Sequence, residues 1–268
     1  MTGIDHLIIA VADLGEGEAA MEKAGFLPTP RGLHSAEMGT ANATIVLADR
    51  TYFEVLGIVA PTEANVAIRT GIDAGRALFG LALTTDDAKA TQDAWDAAGV
   101  GTGEMRAFSR PVELPGGTRE AAFRTAYVRA EACPGAYSFA CEHLTPDVVW
   151  REDYLVQPNA VVGLRKIVAV ADDPAAAAAA WARIPGLSAT GGTVAMDGRA
   201  LEFVTPAAFT AAAGATPPAV PAMTALVFAS SDLARTRAAL EAGGYSIAEE
   251  GAGLRTTILG ITFRFVPA

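Results

Sequence analysis

One arrangement recurs four times along the 268 residues and constrains the fold more than any single motif. A strand-like apolar run ends in aspartate, a helical stretch follows, and a glycine-containing stop leads into shorter strands. The runs are His6–Asp13, Phe79–Asp86, Arg165–Asp172 and Ala225–Asp232. The helices are expected to run to about Lys23, Trp95, Trp181 and Glu241. The stops are Ala24-Gly25-Phe26, Ala98-Gly99-Val100, Pro185-Gly186-Leu187 and Gly243-Gly244-Tyr245. Aspartate suits a helix start because its carboxylate accepts orphan N–H groups and complements the dipole, and glycine suits the left-handed residue after the last turn. Pro174 falls early in its helix, where the missing donor costs little, so the alanine run Ala175–Ala180 reads as an ordinary helix.

Up to three strand candidates follow each helix. They are Phe26–Pro30, Ala43–Ala48 and Tyr52–Val59; then Met105–Val112, Ala121–Arg129 and Tyr137–His143. In the second half they are Leu187–Thr190, Thr193–Met196 and Leu201–Thr205; then Tyr245–Ala248, Leu254–Leu259 and Thr262–Val266. Each unit is therefore β-α-β-β-β and the class is α+β. One unit cannot cover its own sheet face, so the units should pair into two half-barrels. The division is expected near Gln157-Pro158-Asn159, giving domains at 1–160 and 161–268, and Thr205–Pro221 reads as the link between the third and fourth units.

Composition narrows the setting. Hydrophobic residues make up 51% of the chain, enough for a large core. No apolar run reaches the roughly 20 residues needed to span a bilayer, and the start, Met1-Thr2-Gly3-Ile4-Asp5, has no signal-peptide pattern; a cytoplasmic protein without a membrane partner is expected. The net charge of −10 and the lack of a Lys/Arg-rich stretch argue against nucleic acid. Cys133 and Cys141 flank a turn and are expected as reduced thiols. There is no nucleophile motif, phosphate loop or dinucleotide fingerprint.

Several short motifs, read with the fourfold βαβββ order, carry a family resemblance. They are Asp5-His6-Leu7, Arg31-Gly32-Leu33-His34, Gly39-Thr40-Ala41-Asn42, Tyr52-Phe53-Glu54-Val55-Leu56-Gly57 and Phe139-Ala140-Cys141-Glu142-His143, followed by Pro146, Trp150 and Pro158-Asn159. The chain resembles the vicinal oxygen chelate superfamily, which includes glyoxalase I, extradiol dioxygenases and bleomycin-resistance proteins. It is most similar to the glyoxalase-like bacterial proteins within it. The motifs span roughly residues 4 to 165; the second half matches in module order alone. The resemblance implies two half-barrels and one divalent metal ion (Fe, Mn, Zn or Ni), with ligands on the first and last strands of a module. Those positions are His6 and Glu54. Phe79, where the second module's first strand would supply a ligand, cannot serve, so the third ligand is His143, with Glu142 as the alternative.

The residues also speak for themselves. All three histidines, His6, His34 and His143, lie in the first half. Glu54 sits among Phe53, Val55 and Leu56, where an unpaired carboxylate would be costly and a cation or an imidazole is a natural partner. A His6–Glu54 hydrogen-bonded pair without metal is the competing arrangement. His34 could act as a general base or shape its loop. Asn42 could touch substrate or organise a turn. Arginines concentrate in the second module, and Arg106 and Arg124 are candidate contacts for an anionic substrate. Glu202 occupies in module three the place of Glu54, with Arg165 where module one has His6, so a salt bridge is expected there. The expected activity is metal-dependent lyase, isomerase or dioxygenase chemistry on a small molecule with vicinal oxygens, in a protein for which a homodimer is allowed. The alternative is a non-catalytic sequestering protein of the bleomycin-resistance type.

Overall fold

The computed structural model describes residues 2–114 and 116–268; Met1 and Pro115 lie outside the described residues. The first unit is β1 (Ile4–Val11), α1 (Leu14–Lys23), β2 (Gly32–Leu33), β3 (Thr40–Val46) and β4 (Tyr52–Ile58), followed by the connecting helix α2 (Val66–Asp73). The second is β5 (Leu78–Thr84), α3 (Ala88–Ala97), β6 (Gly101–Leu114), β7 (Gly117–Val128) and β8 (Tyr137–His143), followed by the short helices α4 (Pro146–Val149) and α5 (Glu152–Leu155). The third is β9 (Val161–Val170), α6 (Pro174–Trp181), β10 (Ser188–Thr190), β11 (Thr193–Met196) and β12 (Arg199–Val204), then α7 (Pro206–Ala213). The fourth is β13 (Ala222–Ser230), α8 (Leu233–Ala242), β14 (Ala248–Glu250), β15 (Gly253–Ile258) and β16 (Ile261–Pro267).

The α+β architecture with four βαβββ units is as expected, and the units pair one with two and three with four. Each pair forms an eight-stranded sheet, in the orders β2-β3-β4-β1-β5-β8-β7-β6 and β10-β11-β12-β9-β13-β16-β15-β14. Within a unit the first and last strands run parallel, as in the His6↔Tyr52 and Ile8↔Glu54 register of β1 and β4. The two first strands of a pair meet antiparallel at the middle of the sheet.

The helix starts show where the reading of the sequence slipped. Asp13 and Asp232 cap α1 and α8 as expected, accepting from Glu16 N and Arg235 N at 3.0 Å. In units two and three the cap is the next residue: Asp87 accepts from Ala90 N and Asp173 from Ala176 N, both at 3.0 Å. Two aspartates stand in tandem there, and the second is the one whose carboxylate reaches the third N–H of the helix. Pro206–Ala213 was expected to be linker, yet it is helical. Thr205 Oγ1 accepts from Ala208 N, Pro206 takes the first turn, and Gly214 closes the helix at φ 69°.

Strand alternation assigns each sheet two faces. From β4, Phe53 and Val55 face a core shared by both halves, whereas Tyr52 and Leu56 face the other way. The shared core joins the halves through aromatic rings: Phe26–Phe53 at 5.2 Å, Phe53–Phe228 at 5.6 Å and Phe228–Phe263 at 5.6 Å between centroids. Polar clasps cross the same boundary. Arg199 Nη2 donates to Asp49 Oδ2 at 2.7 Å, Thr236 Oγ1 to Asn159 O at 2.7 Å, and Tyr245 Oη to Ala20 O at 2.8 Å.

Because Phe228 is fully buried among rings from both halves, Phe228→Ala should destabilise the protein by about 3–5 kcal/mol. Urea unfolding followed by circular dichroism should show the loss in one transition. Two separated transitions would contradict a shared core.

Candidate functional site

On its other face the first sheet wraps into a cup. Side chains from β1, β3, β4, β5, β6, β7 and β8 line a single cavity of about 160 Å³, with α2 contributing Ala67 and Ile68 to its rim. His6, His34, Asn42, Glu54 and Arg106 all line this cavity.

The centre of the site is a β-bulge. Opposite β5, the pairing runs from Ile4↔Leu83 directly to His6↔Ala82, so Asp5 is an extra residue on β1. A bulge re-aims side chains, and here it lets Asp5 reach two histidines. His6 Nδ1 donates to Asp5 Oδ1 at 2.6 Å, and His143 Nε2 donates to the same oxygen at 3.0 Å. All three side chains are about 95% buried. Burial by itself pushes the Asp5 carboxyl up, but the hydrogen bonds from His143 and His6 outweigh it and hold Asp5 below the usual carboxylate range. Tyr52 stacks on the His6 ring at 4.4 Å and Trp150 lies 4.3 Å from His143, so both imidazoles are clamped from the side as well.

With Nδ1 committed to Asp5, Nε2 is the nitrogen that His6 has left for the cavity. Glu54, two residues along the adjacent strand, accepts a short hydrogen bond from Asn42 Nδ2. Asn42 Oδ1 is buried without a partner. Its end and that of Arg110 both crowd Gly32: a Cβ there would sit 2.8 Å from Asn42 Oδ1 and 2.5 Å from Arg110 Nη1. The nitrogen of the amide faces the carboxylate. His34 Nδ1 shares a 2.7 Å hydrogen bond with the Thr40 hydroxyl. Burial lowers the His34 pKa and the nearby Arg110 charge lowers it further, with Glu54 opposing them, so the ring is neutral at pH 7.

The expected site residues thus separate. His6, Glu54, His34 and Asn42 come together, and Arg106 lies at the rim with its guanidinium 5.2 Å from the Tyr127 ring centre. His143 shares their side of the sheet but stands behind Asp5, with Nε2 bound there and Nδ1 buried. Glu142 points the other way, where its carboxylate accepts from Ala88 N at 3.1 Å at the start of α3. Arg124 follows it out of the cup, 3.7 Å from Glu142. The reading of the sequence passed over Asp5 as a site residue. An acid inside an otherwise apolar strand, next to a histidine, was the available signal for Asp5.

The donor chemistry fits a cation. A neutral imidazole fixed through its other nitrogen by a buried carboxylate is how protein sites orient metal-binding histidines. One oxygen of Asp5, one nitrogen of His6 and Cys141 Sγ also lie within 4.8 Å of one another. Burial, then the charges of Asp5, Glu54 and Glu142, push the Cys141 thiol well up, so it is protonated in the state described. In the second sheet, Lys166 and Glu202 occupy the register of β9 and β12 that surrounds His6 and Glu54 in the first, and Lys166 Nζ donates to Glu202 Oε2 at 2.8 Å. The expected salt bridge is there, formed by Lys166 rather than Arg165, because residue 166 is the one that shares a face with Glu202.

Asp5→Asn should cost about 3 kcal/mol, since it leaves two buried imidazoles without their shared anion. A carboxyl depressed in the folded state contributes stability above its unfolded value of about 3.9, and that contribution is lost as pH falls through the lower folded value. The variant should therefore lose stability near neutrality and show a flatter dependence below pH ~4; equal curves for both proteins would contradict the pairing. By NMR titration, Arg110→Gln should raise the His34 pKa and Glu54→Gln should lower it. Unchanged values would place those charges elsewhere.

A family model described as a glyoxalase-like domain matches residues 4–184. No curated protein matches the chain significantly in sequence. Among solved structures, a hypothetical protein from Staphylococcus aureus aligns over 100% of both chains at 12% identity with a TM-score of 0.69. The Mn(II)-bound glyoxalase from Novosphingobium aromaticivorans aligns over 98% of this chain and 81% of its own at 11% identity, TM-score 0.56. A variant of 4-hydroxymandelate synthase from Streptomyces coelicolor aligns over 98% and 92% at 13% identity, TM-score 0.54. At such identities the likeness is one of fold. The family match runs through the whole first sheet and on to α6, and with the paired βαβββ architecture it shows that the chain belongs to the glyoxalase-like domain family of the vicinal oxygen chelate superfamily.

Proposed function

We propose that this protein is a metal-dependent enzyme of glyoxalase-like type, acting in the cup of its first sheet on a small molecule with two adjacent oxygens. The observation that carries the proposal is the Asp5–His6 pair. A buried anion spends one imidazole nitrogen, so that the other is presented to a cavity which Glu54 also lines. His6 and Glu54 are the residues that would hold the cation, with Cys141, whose Sγ lies within 4.8 Å of a His6 nitrogen, as a further donor. His143 is proposed as a support of Asp5 rather than as a ligand. Bound there, a divalent ion supplies Lewis acidity to adjacent substrate oxygens and a template for them. The Mn(II) in the Novosphingobium glyoxalase supports the choice of a divalent ion.

The chain's own residues set the rest. His34 is neutral and faces the cavity, so it can accept a proton at Nε2 while Thr40 holds Nδ1. Asn42 fixes the Glu54 carboxylate by its amide. Arg110 and Arg106 put positive charge at the cavity wall and rim, where an anionic substrate would be drawn. Ile68 and Ala67 of α2 add apolar surface to one side of the cavity. Arg124, turned out of the cup, has no part in it.

One observation favours a second reading, a metal-free binding protein: Glu54 already has the Asn42 amide as a partner, and Arg110 lies beside that amide. Elemental analysis separates the two. Protein purified without chelator should carry about one divalent ion per chain, and His6→Ala and Glu54→Ala should each lose it while keeping the fold by circular dichroism. Metal-free wild-type protein that also gains no thermal stability from added Mn²⁺, Zn²⁺, Ni²⁺ or Fe²⁺ would sink the enzyme reading in favour of the binder.

A further inference from the structure

The second sheet carries a charge pattern that the first does not. A row of side chains runs in register across four of its strands: Lys166 of β9, Val227 of β13, Arg264 of β16 and Arg255 of β15. Their chain neighbours Ile167, Leu226, Phe263 and Leu254 belong to the shared core, so strand alternation turns the row to the opposite face. The same register in the first sheet reads His6, Ala82, Phe139 and Tyr127, of which His6, Phe139 and Tyr127 line the first cavity. An imidazole and two aromatic rings there are replaced by three cations here. The bulge recurs as well. Pairing passes from Phe228↔Leu164 to Val227↔Lys166, so Arg165 is the extra residue where β1 has Asp5. We propose that this face of the second half is a further binding site, separate from the first cup, for a small molecule carrying a phosphoryl group held between Arg255 and Arg264.

Three observations carry the proposal. First, the cations outnumber the anions that could pair with them. Lys166 has Glu202 at 2.8 Å, and Arg264 Nε has Glu250 at 3.1 Å. Among the described residues Arg255 and Arg165 have no carboxylate partner; Arg255 Nη1 donates instead to the carbonyl of Ala213, the last residue of α7. The helix and the loop after it, Thr205–Thr224, contain no charged residue that could supply one. This local excess of positive charge stands in a chain of net charge −10. Second, Arg255 and Arg264 lie directly opposite each other on antiparallel strands. Their Cβ atoms are then about 5 Å apart, where like charges repel unless an anion lies between them. Third, solvent reaches the row. Val227 is partly exposed although it sits on an interior strand between the fully buried Leu226 and Phe228, and the Arg264 and Lys166 side chains are 21% and 41% exposed. α7 fills the cup further along, over Val168, Val170 and Ala225. Two guanidinium forks side by side suit a dianion with three terminal oxygens better than a carboxylate, whose single charge one fork satisfies. Glu202 and Glu250 flank the row and would repel an extended polyanion, which leaves a compact phosphoryl group as the ligand.

The test is isothermal titration of the chelator-treated full chain with inorganic phosphate at low ionic strength, with acetate as the comparison anion. Phosphate should bind at a single site per chain, about tenfold more tightly than acetate. Arg255→Gln and Arg264→Gln should each weaken phosphate about tenfold with the circular dichroism spectrum unchanged. Arg255→Lys, which keeps the charge, should retain part of the affinity. Arg110→Gln, which removes a cation of the first cup, should leave phosphate binding as it is. No phosphate binding by the wild-type chain, equal affinity for acetate, unaltered binding in both glutamine variants of the second half, or a loss confined to Arg110→Gln overturns the proposal. Chelator treatment keeps phosphate from binding through a metal ion, so the outcome does not depend on the cation proposed for the first cup.

Discussion

A carboxylate shut away from water must be matched by donors at close range, and around Asp5 that requirement organises the first half of the molecule. Desolvation alone would drive the group neutral; two imidazole N–H groups on one of its oxygens keep it ionised. The bulge on β1 makes the arrangement possible by adding a residue where the first strands of the two modules meet. His6 comes from that strand and His143 from the end of β8, so the anion ties the two modules together at the floor of the cup. What the cavity receives is the remaining nitrogen of His6, held in one tautomer and one orientation.

The second half shows the same scaffold without such a site. In the register where the first sheet has His6 and Glu54, the second has Lys166 and Glu202 joined as an ion pair. The cation there is part of the chain. The corresponding cup is also filled: Phe209 and Ala213 of α7 pack against Val168, Val170 and Ala225. Its helical counterpart in the first half, α2, reaches the cavity only at the rim. One sheet is thus closed by its own connecting helix and the other left open, and the shared aromatic core binds the closed half to the open one. The second half supplies a packed platform for the first.

The modules were legible in the sequence because local physical rules repeat in each of them. Aspartate before a helix, glycine after it and alternating strands behind were enough to place every unit. The slips were local. Tandem aspartates moved two caps by a residue, and α7 was hidden in a stretch rich in Ala, Pro and Gly whose Thr205-Pro206 start and Gly214 end are helix signals. The site was half legible. His6, Glu54, His34 and Asn42 follow from strand parity and the family motifs. Strand parity put His143 and Glu142 on opposite faces, and His143 is the one on the cup side. Parity failed for Asp5, because a bulge is set by pairing with a strand more than 70 residues away and leaves no mark on the local pattern. Arg124 and Arg110 differ only in which face of the hairpin they occupy, which depends on where β6 and β7 pair.

The central claim is positional: one cation between His6 and Glu54 in the first cup, with Asp5 behind the imidazole. The most direct measurement is the anomalous difference density of a crystal grown with MnCl₂, recorded on both sides of the manganese edge. The account predicts one peak per chain, about 2 Å from His6 Nε2 and from a Glu54 carboxylate oxygen, with Asp5 still accepting from His6 Nδ1. A peak bonded to His143 or to Asp5 in place of His6, or a cup without any peak at full soak concentration, would contradict it.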